Sequence, residues 1–236
     1  MNKKIAVIMP AWNEAKHISK IIKRIQKTAE ENKLKLDIII IDDGSTDKTA
    51  EIATNTKANI VLKHIINLGK GNAARTGCDY AYKQKYDILI LMDSDGQHEP
   101  EDIPRFLKEL EINDIVYGYR TAEGKSPLLM RIGNYGLTTI TKLLFGIAIK
   151  DTQSGYRAFK IKNYKQLRWE SKEYGMETEM IINSKGLKYA EIPIKTIYLD
   201  KYKGTTPIQG IKILNQMIKW KILKSITKKN KPKARK

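Results

Sequence analysis

In the stretch YDILILMDSDGQHEP, residues 86–100, four consecutive apolar residues, Ile88 to Leu91, run into two carboxylates, Asp93 and Asp95. An apolar run without polar alternation reads as a strand covered on both faces, and such strands belong to parallel sheets. The acids then stand at the strand's C-terminal end, the edge at which open α/β sheets bind ligands. Two acids one residue apart can share one divalent cation; they can equally be a solvated loop that precedes a helix. The rest of the chain bears on which reading holds.

The same strand-to-polar scheme recurs upstream. KIAVIMPAWNE, residues 4–14, gives a strand that breaks at Pro10, and Ile18, Ile21, Ile22 and Ile25 follow at helical spacing. LDIIIIDDGSTDKTAEIA, residues 36–53, sets four isoleucines before Asp42-Asp43, with Asp47 or Thr46 placed to cap the next helix. NIVLKHI is a third strand and GKGNAARTGCDYAYKQ a third helix. Four strands alternating with helical patterns call for right-handed crossovers and a Rossmann-like, mostly parallel sheet with flanking helices, an α/β fold. After Pro104 the spacing predicts a short helix in RFLKELE, a strand ending at Arg120, an apolar segment from Leu128 to Ile149, helices around Tyr164–Leu167 and in METEMIINSKGL, and a strand in YAEIPIKTIYL.

The 236 residues suit one domain, with or without an appendage. A net charge of +18 points to an anionic partner: nucleic acid, a membrane surface or a phosphorylated substrate. From Lys201 to Lys236 there are 12 basic residues and no acidic one, which leaves only +6 on the preceding 200. The single cysteine, Cys78, excludes an intramolecular disulfide and multi-cysteine metal sites, fits a reducing compartment, and reads as a packing residue. The N-terminal apolar run is too short for a signal peptide, and Arg131, Asn134 and Lys142 make residues 128–149 a poor membrane span but a good buried or interfacial helix. Neither G-x-G-x-x-G after the first strand nor G-x-x-x-x-G-K-[ST] is present, which argues against dinucleotide-binding and P-loop sites. The turn Gly69-Lys70-Gly71 is either structural or close to the ligand.

PAWNE (10–14), DDGSTD (42–47), DSDGQHEP (93–100) and DTQSGYRAF (151–159) resemble the motifs of family 2 glycosyltransferases with a GT-A fold. More narrowly they are similar to the dolichyl-phosphate mannose and glucose synthases, over about Ile5 to Pro207. The motifs are specific in combination and weaker singly. The resemblance implies metal-dependent, inverting transfer of mannose or glucose from a GDP- or UDP-sugar to dolichyl or polyprenyl phosphate, at the cytoplasmic membrane face. It implies Mg2+ or Mn2+ held by Asp93, Asp95 and the Gln97 carbonyl, which would neutralise the diphosphate. It places Pro10, Trp12, Glu14, Asp42, Asp43, Lys70, Asp93, Ser94 and Asp95 on the donor nucleotide, with Trp12 where tyrosine is more usual. Arg120, Arg131, Tyr135 and Lys203 fall on the acceptor phosphate, with Lys203 where arginine is more usual. Asp95, Arg120, Arg131 and Asp151 form the catalytic set, Asp151 organising the acceptor side. An ionised lipid phosphate needs little help from a general base, so its charge must be positioned instead. Glu177 and Glu179 read as helix-surface acids, Glu177 with a sugar contact as the alternative, and His98 as a loop hydrogen-bonder.

The expected organisation is a GT-A domain over 1–206 with an interfacial helix at about 128–146, an amphipathic membrane-interface helix at 207–226, and a basic disordered tail at 227–236. In the second helix Ile211, Leu214, Ile218 and Ile222 form one apolar stripe and Ile213, Met217 and Trp220 another, with lysines between. Two apolar faces need two partners: the protein body and a membrane surface met peripherally, or a second copy in a homo-oligomer. A nucleic-acid partner would want aromatic residues among the basic ones, yet after Tyr202 only Trp220 is aromatic, so none is expected. A nucleotidyltransferase would also use strand-end acids with a metal, but leaves Arg131 and DTQSGYRAF without a task.

Overall fold

The computed structural model describes residues 3–121, 128–173, 175–195 and 207–229; the side chains of 128–132, 207–209 and 223–229 are outside that description. Seven strands form one sheet: β1 (Ile5–Ala11), β2 (Leu36–Asp42), β3 (Ile60–Lys63), β4 (Ile88–Leu91), β5 (Ile115–Arg120), β6 (Arg157–Lys160) and β7 (Tyr189–Ile194), in the order β3-β2-β1-β4-β6-β5-β7. β1 pairs in parallel with β2 and β4, β2 with β3, and β5 with β7. β6 alone is antiparallel to both of its neighbours. The first four strands are those read from sequence. β6 was not expected: RAFK has neither alternation nor an apolar run, because its arginine is buried through hydrogen bonds to three backbone carbonyls rather than by hydropathy.

The apolar runs are explained by alternation across the sheet. Ile8, Ile39, Ile41, Leu89 and Leu91 face one core, while Val7, Ile38, Ile40, Ile88 and Ile90 face the other. The second core is closed by α1 (Ile18–Glu31), through Ile18, Ile21, Ile22 and Ile25, and by α4 (Ile103–Glu109) through Ile103 and Phe106. The N-cap position of α2 (Thr49–Asn55) is Lys48 rather than Asp47 or Thr46; Asp47, one residue earlier, accepts the Thr49 N–H at 2.9 Å. On the first face α3 (Lys70–Lys83) presents Ala73, Ala74, Gly77, Cys78 and Ala81, so its backbone lies close to the strands. Cys78 is buried packing.

α5 (Leu128–Phe145), α6 (Tyr164–Leu167), α7 (Met176–Asn183) and α8 (Pro207–Lys229) complete this side. α5 and α8 pack on each other. In α8, Ile213 and Met217 are buried and Trp220 packs against the core, whereas Ile211, Ile218 and Ile222 are exposed. One apolar stripe thus faces the body and the other faces outward. The helix runs to Lys229, three residues past the expected end at Ile226; residues 230–236 lie outside the described set. Among the described residues no helix is long and apolar enough to cross a membrane.

The strand order reverses between β1 and β4, which makes the crevice beyond their C-terminal ends the topological switch point where ligands of open α/β sheets bind. It lies where Pro10–Glu14 and Asp93–Asp95 emerge. The close approach of α3 sets the width of the layer beneath it. A Cβ at Gly77 would stand 2.5 Å from both Ile41 Cδ1 and Ile8 Cγ2. Gly77→Val should therefore cost about 1–3 kcal/mol, seen as a lower denaturation midpoint at unchanged m-value; an unshifted midpoint would show that α3 can retreat without loss.

Candidate functional site

Two loops meet at the switch point and are tied directly. Ser94 Oγ donates to the Pro10 carbonyl at 2.6 Å. The turn after β4 is braced from within: the Asp93 N–H donates to His98 Nδ1 at 3.1 Å, and the Gln97 N–H to Asp95 Oδ1 at 3.0 Å. Gly96 has a φ of 84°, a conformation that favours glycine. The His98 ring stacks on Tyr156 with centroids 4.9 Å apart. Burial depresses its basicity despite the pull of Asp93 and Asp95. It is a loop brace, as its place beside Glu99-Pro100 suggested.

The Asp93 carboxylate meets a lysine from another element. Lys70, the first residue of α3, places Nζ 2.7 Å from Asp93 Oδ1 and 3.0 Å from Glu177 Oε1. Burial works against the ammonium, but Asp93 and Glu177 outweigh it and hold Lys70 charged. Burial likewise opposes ionisation of Asp93, yet Lys70 and then His98 draw its pKa below the ordinary carboxylate range. Asp95 is shifted upward by burial and by the Asp93 charge. Asp93, Asp95 and Glu177 face Lys70, with the Arg120–Asp151 pair and the Arg157 guanidinium also within electrostatic reach, so carboxylates still outnumber cations and an added cation would be favoured there. The donors are hard oxygens, suited to Mg2+ or Mn2+. Among the described residues no three His, Cys, Asp or Glu side chains gather as a complete cage. Asp93 and Asp95 fit an ion whose other ligands are carbonyl, substrate or water oxygens.

On the donor side, Trp12 stands at the surface, 53% exposed, and is available for stacking. Glu14 is buried, with its N–H on Thr49 Oγ1 at 2.8 Å. The Asn13 N–H donates to Ser45 Oγ at 3.0 Å, and Asn13 Oδ1 accepts the Thr46 N–H, so the β1 and β2 loops are cross-linked. Asp42 is buried and takes the Ser45 N–H at 3.3 Å. Asp43 is committed further. Its Oδ1 meets His64 Nδ1 at 2.7 Å and accepts the Leu68 N–H at 2.9 Å, while Oδ2 accepts the Gly69 N–H at 2.9 Å. This carboxylate pins the turn that presents Lys70, and Gly69, with a φ of 92°, lets the chain bend there.

On the other side, Arg120 at the end of β5 forms a two-pronged pair with Asp151: Nε to Oδ2 at 2.7 Å and Nη2 to Oδ1 at 3.0 Å. Asp151 also accepts the Gln153 N–H at 3.0 Å. Burial would raise its pKa, but Arg120 and the backbone donors bring it below the usual range, so it anchors the guanidinium as an anion. Thr152 meets Thr138 of α5 at 3.3 Å. Tyr135 on α5 is 75% exposed. Arg131 lies on α5 with its side chain outside the described set, as is the whole of Lys203. Because β6 runs opposite to β4 and β5, the 151–156 loop that leads into it returns to the same sheet edge.

α7 corrects the sequence reading. Met176 to Ile182 are all buried, and neither glutamate is a surface acid. Glu179 accepts the Glu170 N–H at 3.0 Å, the Ser171 N–H at 2.9 Å and the Ser171 hydroxyl at 2.6 Å. Glu177 backs Lys70. Acids on a helix usually point to solvent, and only the i, i+2 spacing, which puts the two on different faces, and the methionines and isoleucines around them hinted otherwise.

Residues 6–168 match the family described as glycosyl transferase family 2. An uncharacterized protein of Methanocaldococcus jannaschii is 41% identical over 230 residues, covering 92% of this chain and 92% of its own. The UDP-N-acetylglucosamine–dolichyl-phosphate N-acetylglucosaminyltransferase of Methanococcus voltae is 36% identical over 250 residues, covering 94% of this chain and 97% of its own. Among solved structures, glucosyl-3-phosphoglycerate synthase from Mycobacterium tuberculosis in complex with Mn2+, UDP-glucose and phosphoglyceric acid gives a TM-score of 0.73 at 18% identity, over 93% of this chain and 80% of that one. The fold is thus GT-A-like, as the motifs implied.

The Arg120–Asp151 pair carries a pH signature with a fixed sign. Since the folded-state pKa of Asp151 is lowered, its stabilisation is fully present above the unfolded value near 4 and is lost as pH falls through the folded one. Asp151→Asn should cost roughly 3 kcal/mol at pH 7 and progressively less below about pH 4, measured by denaturant titration. A deficit independent of pH would assign the loss to packing rather than to charge.

Proposed function

The chain belongs to glycosyl transferase family 2, and from that membership we propose that it transfers a sugar from a nucleotide sugar to the phosphate of a polyprenyl phosphate. The observation that carries this reading is the half-buried Asp93/Asp95 pair beside Lys70 at the switch point, an arrangement that suits a divalent ion and a diphosphate. Its support on the acceptor side is the set of motifs shared with polyprenyl-phosphate enzymes, together with the M. voltae relative, which acts on dolichyl phosphate and matches this chain over nearly its whole length.

A bound Mg2+ or Mn2+ would supply charge neutralisation at the donor diphosphate, with Asp93, Asp95 and the Gln97 carbonyl as its protein ligands. The exposed Trp12 ring is placed to stack on the base, and Glu14, Asp42, Asp43 and Ser94 shape the floor on which the nucleotide rests. The acceptor phosphate is already ionised and attacks the anomeric carbon directly, inverting it. Arg120, steadied by Asp151, draws that phosphate in; Arg131, Tyr135 and Lys203 extend the same side. UDP-N-acetylglucosamine is the first donor to try, since the M. voltae relative is named for it; UDP-glucose and GDP-mannose are the alternatives.

The outward stripe of α8 gives the acceptor a place to come from. Ile211, Ile218 and Ile222 are exposed beside Lys212, Lys219 and Lys221, and Tyr135 and Leu143 are exposed on α5. Apolar residues flanked by lysines suit the boundary of an anionic membrane, approached peripherally from the cytoplasmic face, where a lipid phosphate is presented.

With Mn2+ and a panel of UDP-N-acetylglucosamine, UDP-glucose and GDP-mannose, the protein should form one polyprenyl-phosphate sugar, and Asp95→Ala or excess chelator should abolish its formation. Transfer only to a water-soluble acceptor would refute the lipid reading, and undiminished activity of Asp95→Ala the metal role. The double variant Ile218→Asp, Ile222→Asp should lose cosedimentation with anionic vesicles even at low salt while circular dichroism stays unchanged. Binding equal to the parent's would assign the stripe to another partner, such as a second copy of the chain.

A further inference from the structure

Glu177 has no part in the reading above, yet it is the most deeply buried member of its cluster. The Lys70 and Asp93 side chains are each 26% exposed, whereas that of Glu177 is 2% exposed. It stands behind Lys70, out of reach of a ligand. Its Oε1 lies 3.0 Å from Lys70 Nζ, off the hydrogen-bonding direction, and its Oε2 is buried without a partner among the described residues. A buried carboxylate is costly unless a charge stands beside it, and for Glu177 that charge is the Lys70 ammonium, 3.0 Å away. Its place is rigidly set. The Glu177 carbonyl accepts Arg157 Nη1 at 2.6 Å, and Arg157 also holds the carbonyls of Thr152 and Ser154. The loop so anchored closes over the cluster: a Cβ on Gly155 would stand 3.0 Å from Lys70 Nζ and from both Asp93 oxygens.

We propose that Glu177 is a positioning residue acting through Lys70: it holds the ammonium at the exposed edge of the cluster, where Lys70 contacts the donor diphosphate and takes up the charge gained by the departing nucleoside diphosphate. This rests on the donor reading given above. In the transfer an acceptor phosphate oxygen bonds to the anomeric carbon as the bond from that carbon to the diphosphate oxygen breaks, and its electron pair leaves with the diphosphate. The leaving group ends with one more negative charge than it carried as an ester, so a fixed cation beside it favours the transition state and product over the bound donor. Lysine is a point charge on a flexible stem with three donors. With Asp93 alone as counter-charge the ammonium would fold onto that carboxylate. A second anion behind it divides the pull and leaves an N–H directed outward.

The test is calorimetric, in Mn2+, with UDP against UMP and GDP against GMP, on the full chain, Lys70→Met, Glu177→Gln and the double variant. For whichever base the parent binds, Lys70→Met should weaken the diphosphate roughly tenfold or more and leave the monophosphate nearly unchanged. Glu177→Gln should weaken the diphosphate by a smaller factor, about threefold to tenfold, and add nothing in the Lys70→Met background. An equal loss of diphosphate and monophosphate, or a full effect of Glu177→Gln without Lys70, overturns the proposal. If Lys70→Met does not fold, the diphosphate-to-monophosphate ratio of Glu177→Gln decides alone. A parent that binds neither UDP nor GDP overturns the donor reading itself, and this inference with it.

Discussion

A single buried guanidinium holds the two halves of the site in register. Arg157, at the start of β6, is 1% exposed and gives its donors to three carbonyls, two in the 152–154 loop and one at the start of α7, with the Tyr117 ring 5.2 Å from its charge. Burial lowers the pKa of this arginine, with Tyr117, Glu177, Asp151 and Asp93 pulling the other way. Such an ion is tolerable only when its hydrogen-bonding directions are filled, so the loop and the helix have little freedom to part. Through that constraint Gly155 lies against Asp93 and Glu177 behind Lys70.

The carboxylates at the strand ends divide into two kinds. Asp43 and Asp151 are spent on their own neighbours, one fixing the turn before Lys70 and the other fixing Arg120. Asp93 is held ionised by Lys70, and Asp95 beside it is shifted upward by burial and by the Asp93 charge. The first kind fixes geometry, and the second leaves oxygen donors of the kind a hard cation takes. A carboxylate that already accepts three donors is a poor metal ligand; one raised in pKa by another carboxylate is a good one.

How much of this was legible follows from how each residue is satisfied. Isoleucines 38 to 41 and residues 88 to 91 announce buried strands because both faces of a parallel sheet are covered, and the Asp-Ser-Asp after them announces a ligand edge. The two stripes of α8 were visible as periodicity, and one did prove to face the body. β6 was hidden because its arginine is buried by backbone carbonyls, two in the loop just before it and one on α7, which no apolar pattern marks. Glu177 and Glu179 were hidden for a related reason: a buried acid is made tolerable by tertiary partners, here Lys70 and the 170–171 backbone, which no local pattern encodes. The role of Asp43 as a brace was not legible, since its three donors come from residues 21 to 26 further on.

The reversed direction of β6 separates two jobs that other open sheets combine. β1 to β4, with their crossovers, are continuous in sequence and carry Asp43, Lys70, Asp93 and Asp95; the later segment that supplies Asp151 and Gly155 enters the sheet as β6, between β4 and β5. The residues on the two sides of the crevice thus come from separate stretches of the chain, and they share one sheet edge only because a single strand runs against its neighbours.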